Sequence, residues 1–171
     1  VEEYVILVDE NDNMVGTAEK MDAHINPRLH RAFSIIIFNS KDEVLIQKRA
    51  LDKYHTPGLW ANTCCSHPRP GEELEAAAHR RLQEEMGFDT ALARVFSFIY
   101  EAKFENGVTE KEYDHVLFGR WDGTPIKNPA EVADYKWIAK NALTEDIKKN
   151  PEIYTPWFRI AWEKLLMEKV I

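Results

Sequence analysis

Short apolar runs, separated by turn-forming residues, dominate the first half of the chain. Residues 4–8 (YVILV) read as a strand, a turn follows at residues 9–13, and residues 14–19 read as a second strand. Residues 31–38 (RAFSIIIF) and 43–49 (EVLIQKR) predict two more strands, joined through the turn residues 39–42. The breaker pair Pro57-Gly58 precedes a short strand over 60–65. Leu74, Ala77, Ala78, Leu82 and Met86 then recur at helical spacing, which predicts a helix over 72–86 that stops at Gly87. Residues 96–104 and 113–121 form the arms of a hairpin around Asn106-Gly107. A last strand covers 135–138, and helices over 143–149 and 156–169 close the chain. The second of these has Thr155 as N-cap and Pro156 at its first position. Many strands with a few helices predict an α+β fold in α/β/α layers. No repeat, low-complexity tract or linker interrupts the pattern, so one domain over residues 1–171 is expected.

The helix over 72–86 carries charge where its pattern asks for apolar residues. At about 100° per residue, Leu74, Ala78 and Leu82 define a stripe, and Arg81 and Glu85 fall inside it. A carboxylate and a guanidinium on a buried face are costly unless paired or bound to a metal. Either the two pair internally, four residues apart, or Glu85 holds a divalent cation while Arg81 faces phosphate oxygens, since carboxylate plus phosphate is a common way to hold Mg²⁺.

Composition narrows the partners. The chain has 171 residues, a net charge of −7 and 44 % hydrophobic residues. That charge excludes a general nucleic-acid-binding surface, which needs a basic stripe, and leaves room for a small anion in a local basic pocket. No apolar run reaches the ~18 residues of a membrane helix. Residues 1–8 open with acids and lack a basic region, so no signal peptide is expected. The two cysteines, Cys64 and Cys65, are neighbours, a geometry that rarely forms a disulfide. Reduced thiols in the cytoplasm are the simplest reading, with a monomer as the default state and neither membrane nor nucleic acid as partner.

Three of the six histidines stand near other ligand types. His24 and His30 flank the loop around Pro27, and His67 follows the cysteine pair. Glu110 and Glu112 alternate, so in an extended chain both point to one face. Three imidazoles and two carboxylates suit a six-coordinate site with one position left for water or a protein oxygen. Taken singly, each is an ordinary surface or core residue, and their spacing is not a general metal signature.

Two resemblances give these residues a context. Glu72, Arg80 and Glu84-Glu85-Met86-Gly87 resemble the helix motif of Nudix hydrolases, with Ser66 in place of the motif's first Gly and Arg81 in place of the Glu of its Arg-Glu pair. The missing Glu is expected to be a hydrolase metal ligand, which argues against ordinary Nudix hydrolysis. The segments AHINPRLHRAF, TPGLWANTCCSHP, RRLQEEMG, TEKEYDHVLF and YTPWF, in that order, are similar to the type I isopentenyl-diphosphate isomerases, Nudix relatives, in a match that covers nearly the whole chain from Val5 to Trp157. That similarity implies a Nudix-like mixed sheet sandwiched between helices. It implies His24, His30, His67, Glu110 and Glu112 as ligands of one divalent metal (Mn²⁺, Mg²⁺ or Zn²⁺), with imidazoles leaning away from Mg²⁺. It also implies Glu85 at a second, substrate-associated Mg²⁺, and Lys20, Arg49, Lys53 and Arg81 as the countercharge for a diphosphate.

The strand period selects one thiol. In Ala61, Thr63, Cys65 and His67 every second side chain shares a face, so a metal-facing His67 brings Cys65 with it and leaves Cys64 to the core. The family motif also aligns its reactive cysteine with Cys65. Moving a double bond along an allylic skeleton requires an acid and a base on opposite faces of a flat substrate, roles the resemblance gives to Cys65 and Glu112. Tyr100 is expected to hydrogen-bond the Glu112 carboxyl, and Trp157 to present an indole face that steadies a carbocation by about 0.5–2 kcal/mol. The expected function is the metal-dependent interconversion of isopentenyl and dimethylallyl diphosphate in isoprenoid biosynthesis. A Nudix-type diphosphate hydrolase is the alternative, weakened by Arg81, Ser66 and Cys65, and a silent diphosphate-binding module is a third reading.

Overall fold

The long apolar run over residues 35–38 becomes the centre of the molecule. In the computed structural model, which describes residues 3–171, it lies in β3 (His30–Phe38). Residues 1 and 2 of the expected domain and leaderless N-terminus lie outside the described residues. β3 is flanked by β1 (Tyr4–Val8), β4 (Glu43–Arg49), β6 (Cys64–Ser66) and β8 (Thr109–Arg120), all of which pair with it. β2 (Met14–Glu19) extends β1, β5 (Trp60–Ala61) and β9 (Val132–Ala139) extend β4, and β7 (Ala93–Lys103) extends β8. The sheet has nine strands among the described residues and is mixed, because β3 and β8 run parallel while the other pairs run antiparallel.

Period-two alternation sorts the side chains onto two faces. Ile36, Phe38, Val44, Ile46 and Val116 pack against α4 (Pro156–Met167) through Trp157, Phe158, Ala161, Trp162 and Leu165, with Leu143 of α3 (Lys140–Lys149) beside them. Phe33, Ile35, Ile37, Leu45 and Leu117 face α2 (Leu74–Met86) through Leu74, Ala77, Ala78, Leu82 and Met86. β3 therefore has two buried faces, as its unbroken apolar run requires. Each large side chain buried in these layers contributes about 1.5–3 kcal/mol of transfer free energy. The expected α/β/α arrangement is the one observed. Among the described residues, no helix is long and apolar enough to cross a membrane.

Three local readings need correction, and one short helix was not anticipated. Residues 60–65 are two short strands rather than one, because Asn62 and Thr63 spend their side chains on backbone groups: Asn62 donates to the Ile35 and Cys64 carbonyls, and Thr63 donates to Leu45 O and accepts from Ile37 N. The parity drawn through Ala61 and Thr63 is thus interrupted, although it holds from Cys65 to His67. α2 begins at Leu74 rather than at residue 72, since Glu72 turns back to accept from Arg69 N and Arg80. α1 (Lys20–Ile25) is too short to show periodicity and is capped by Glu19, whose carboxylate accepts from Met21 N and Asp22 N. Thr155 stands at the N-cap position of α4, yet its hydroxyl makes no cap bond.

Gly87 ends α2 with φ 74°, and a Cβ there would come within 2.6 Å of the Ile126 carbonyl oxygen. The left-handed backbone alone costs a non-glycine residue about 1–2 kcal/mol. Gly87→Ala should therefore lower stability by at least about 2 kcal/mol, read as a lower urea midpoint at unchanged slope; a parent-like midpoint would show that the helix end relaxes freely.

Candidate active site

The parallel register of β3 and β8 assembles the polar centre. It sets His30 opposite Glu112, and β7 sets Tyr100 opposite Glu112 and Ala102 opposite Glu110. On the other side of β3, β6 pairs Cys65 with Ser34 and delivers His67 just beyond its end. α1 supplies His24. The ligand atoms of His24, His30, His67, Glu110 and Glu112 converge within 4.8 Å of one another. Both carboxylates are buried, at 3 % and 6 % exposure.

The outer nitrogens of two rings explain their orientation. His24 Nδ1 lies 2.6 Å from the Lys20 carbonyl oxygen and His30 Nδ1 lies 2.9 Å from the Arg28 carbonyl oxygen. A carbonyl only accepts, so each Nδ1 carries the proton, and a neutral ring then presents its Nε2 lone pair inward. Those inward nitrogens face carboxylate oxygens, His24 Nε2 at 3.2 Å from Glu110 and His30 Nε2 at 3.5 Å from Glu112. His30 Nε2 has no hydrogen-bond partner among the described residues. Lone pairs converging in this way ask for a cation between them, and a backbone carbonyl behind each histidine is the usual support of a metal ligand. The donor set therefore fits a divalent metal, and its mixture of imidazole and carboxylate does not single one out.

Burial and mutual repulsion set the charge states. Burial raises Glu112 to about 8, with the neighbouring Glu110 adding to it. Burial also pushes Glu110 upward, but its close contacts with the His24 and His55 rings outweigh it and hold Glu110 well below the carboxylate range. Burial lowers His67 to about 3, so it is a neutral imidazole, 2.7 Å from Glu112 Oε2. Cys65 is pushed up to about 12 by burial, with Arg49 opposing and Glu85, Glu112 and Asp114 reinforcing. Its sulfur is therefore a protonated thiol, an acid rather than a nucleophile. Cys64 is fully buried under α2, in the core.

Cys65, His67, Glu110 and Glu112 line one cavity of about 550 Å³, with His24 and His30 behind its wall, within the roughly 300–1,000 Å³ typical of small-molecule sites. Its walls bring together Cys65, His67, Glu110 and Glu112 with Trp157, Glu85 and the four predicted cations, Lys20, Arg49, Lys53 and Arg81. Lys20 pairs with Glu3 at 3.2 Å and Lys53 pairs with Glu131. Arg81 reaches Glu85 at 2.5 Å and Glu131 at 3.5 Å, so the internal pair that the helix pattern allowed is present. Glu85 is fixed on its other oxygen by the Gln47 side-chain amide at 2.9 Å, and it stands outside the His/Glu cluster. Arg49 is buried and has no carboxylate partner among the described residues; it donates to the His55 carbonyl and stands 5.2 Å from the Trp157 ring. An indole face that already holds a guanidinium is suited to positive charge. The Trp157 N–H donates to Asn62, which fixes the ring.

One expected contact is not made. The Tyr100 hydroxyl is buried with no hydrogen-bond partner among the described residues, although its strand register is opposite Glu112. The Glu112 carboxyl turns instead toward His67 and His30. The sequence reading missed Gln47, Asn62 and His55. His55 lies 2.6 Å from Glu110, and its only sequence signal was proximity to the Pro57-Gly58 breaker.

Comparison with known proteins agrees with this geometry. A NUDIX domain model matches residues 28–158. Proteins named isopentenyl-diphosphate Delta-isomerase 2 from Aromatoleum aromaticum and Photorhabdus laumondii are 52 % and 55 % identical to this chain, over 97 % and 93 % of it and over 88 % and 90 % of their own lengths. Among solved structures, DR0079 from Deinococcus radiodurans superposes with a TM-score of 0.71 at 24 % identity, covering 86 % of this chain and 90 % of its own. The MutT protein from Methanosarcina mazei Go1 gives 0.70 at 19 % identity, over 82 % of this chain and 95 % of its own. At such identities the structures establish the fold, and the closer sequences establish the branch: the chain belongs to the isopentenyl-diphosphate Delta-isomerases of the Nudix superfamily.

Proposed function

We infer that this chain interconverts isopentenyl and dimethylallyl diphosphate, with Cys65 and Glu112 as the two proton-handling groups. The observation that carries the assignment is their placement on one cavity beside the His/Glu cluster and Trp157, where burial pushes the thiol up to about 12 and the carboxyl up to about 8. An alkene is weakly basic, and its protonation needs a desolvated acid. One group in its protonated form delivers a proton to the terminal alkene carbon, and the other as its conjugate base takes a proton two carbons along, so one C–H bond forms, one breaks, the double bond moves and the two groups exchange protonation states. Cys65 and Glu112 enter from β6 and β8, on either side of β3, which suits attack from two directions. Trp157 borders the carbon skeleton and steadies positive charge there, and its burial beside Tyr100 excludes water that would trap a cation.

Arg49, Arg81, Lys20 and Lys53 bind the diphosphate, Arg through paired N–H donors and Lys as point charges. His24, His30, His67, Glu110 and Glu112 would hold a divalent metal (Mn²⁺, Mg²⁺ or Zn²⁺), whose charge favours loss of the Glu112 proton. Glu85 would hold Mg²⁺ that accompanies the diphosphate. The enzyme acts as a single-domain monomer in the cytoplasm in this reading, with no nucleic-acid or membrane partner.

Proton NMR of isopentenyl diphosphate with the protein and Mg²⁺ in deuterated buffer tests the reaction. Deuterated dimethylallyl diphosphate is the expected product; release of inorganic phosphate or a monophosphate would replace the isomerase with a hydrolase. Cys65→Ala and Glu112→Gln should each lower turnover by about 10²–10⁴-fold with the fold retained, while Cys64→Ala stays close to the parent. The reverse pattern for the two cysteines would refute their assignment.

Because the Cys65 thiol lies near 12, its alkylation by iodoacetamide should rise about tenfold per pH unit across the neutral and mildly alkaline range. A plateau in that range would mean the thiolate is already formed. Stripping the protein of metal should remove turnover and lower the melting temperature. At a metal concentration of 100 times Kd the linkage is about 2.7 kcal/mol, and unchanged melting after verified removal would count against the His/Glu metal site.

A further inference from the structure

His55 lies on the loop between β4 and β5 and is 2 % exposed. Its Nε2 stands 2.6 Å from Glu110 Oε1, an ion-pair contact that lacks the angle of a hydrogen bond. Its Nδ1 lies 2.9 Å from the Thr56 hydroxyl. The ring is stacked on Phe104 at 4.8 Å and meets the Trp157 ring edge-on at 5.6 Å. Thr56 itself adopts φ 46°, a left-handed conformation that is strained for a β-branched residue. Strain of this kind persists where the surroundings over-determine it, and it clusters at functional sites. Here the loop is held from several sides: Gly58 N donates to Arg49 O, Arg49 N to Leu59 O, and Asn106 clamps the Tyr54 carbonyl.

We propose that His55 is a positioning residue for the metal-binding carboxylate of Glu110. A neutral ring with its proton on Nε2 sets the positive end of that N–H against Glu110 Oε1 at close range, while Nδ1 accepts from the Thr56 hydroxyl. That leaves Glu110 Oε2, which faces His24 Nε2, to bind the cation. The chain Thr56–His55–Glu110 thereby does for a carboxylate ligand what the Lys20 and Arg28 carbonyls do for His24 and His30. The strained loop holds the ring at the required depth, and Phe104 and Trp157 prevent it from turning. Because His55 also touches Trp157, the same ring ties the metal end of the cavity to the wall that borders the substrate carbons.

This role rests on the reading of the His/Glu cluster as a metal site, so the test separates the two. Mn²⁺ affinity of the metal-stripped full-length protein is measured by the electron paramagnetic resonance of free Mn²⁺, for the parent and for His55→Ala, His55→Gln and His24→Ala. His55→Ala should weaken Mn²⁺ binding by about 10–100-fold, the usual cost of losing an outer hydrogen-bond partner. His55→Gln, which can still donate to Glu110, should recover most of it, and His24→Ala should lose binding altogether. Parent-like affinity in His55→Ala with loss in His24→Ala overturns the role of His55 alone. Parent-like affinity in His24→Ala overturns the metal site itself. Loss in His55→Gln as complete as in His24→Ala makes His55 a direct ligand and overturns the positioning role. Should His55→Ala fail to fold, His55→Leu, which keeps bulk against Phe104, takes its place in the same comparison.

Discussion

The parallel pairing of β3 with β8 is the constraint on which the rest depends. It runs from His30 opposite Glu112 to Phe38 opposite Arg120. Its apolar half, Ile35 to Phe38 against Leu117 and its neighbours, is buried on both faces and anchors both helical layers. Its polar half ends in ligand side chains. A slip of one residue would turn each β8 side chain to the opposite face, removing Glu112 from His30 and exposing apolar residues in the same step. The core thus fixes the register, and the register fixes the site.

The polar end carries a cost that the apolar end offsets. Two carboxylates and three imidazoles sit out of contact with most of the solvent, and burying such groups unpaired is expensive. Part of the cost is relieved by protonation, as at Glu112, and part by hydrogen bonds, as at Glu110. The remainder lies in lone pairs directed at a common point, which is the electrostatic description of a cation site. Backbone carbonyls behind His24 and His30 keep those lone pairs inward without adding further charge.

The cations of the cavity follow a different logic. Lys20, Lys53 and Arg81 are each held by an acid, whereas Arg49 is held chiefly by a carbonyl and an indole face. An anion can therefore draw on Arg49 without breaking an ion pair, and on the others only by exchange. Cys65 and Trp157 line the same cavity as these cations and the two metal-binding carboxylates. Charge, acid and aromatic surface are arranged as a diphosphate with a short hydrocarbon tail would require.

How much of this could be read in advance differs from residue to residue. The strands over 4–8, 14–19 and 43–49, the helix stop at Gly87 and the α/β/α layering follow from periodicity and turn chemistry, which are local. The inward Arg81 and Glu85 were visible for the same reason, since helical spacing alone places them on the apolar stripe. Cys65 was separated from Cys64 by strand parity, and the structure keeps that separation even though Asn62 and Thr63 break the strand behind it. His24, His30, His67, Glu110 and Glu112 were named through the chain's resemblance to a family, because their spacing alone says little. What only the tertiary structure decided are contacts between segments far apart in sequence: His55 on Glu110, Gln47 on Glu85, Asn62 on Trp157, and the absence of a Tyr100–Glu112 bond. The sequence by itself determined which side chains face inward, because periodicity is a property of one strand or helix. Which of those side chains meet depends on the register between elements, and that is set by packing of the whole core.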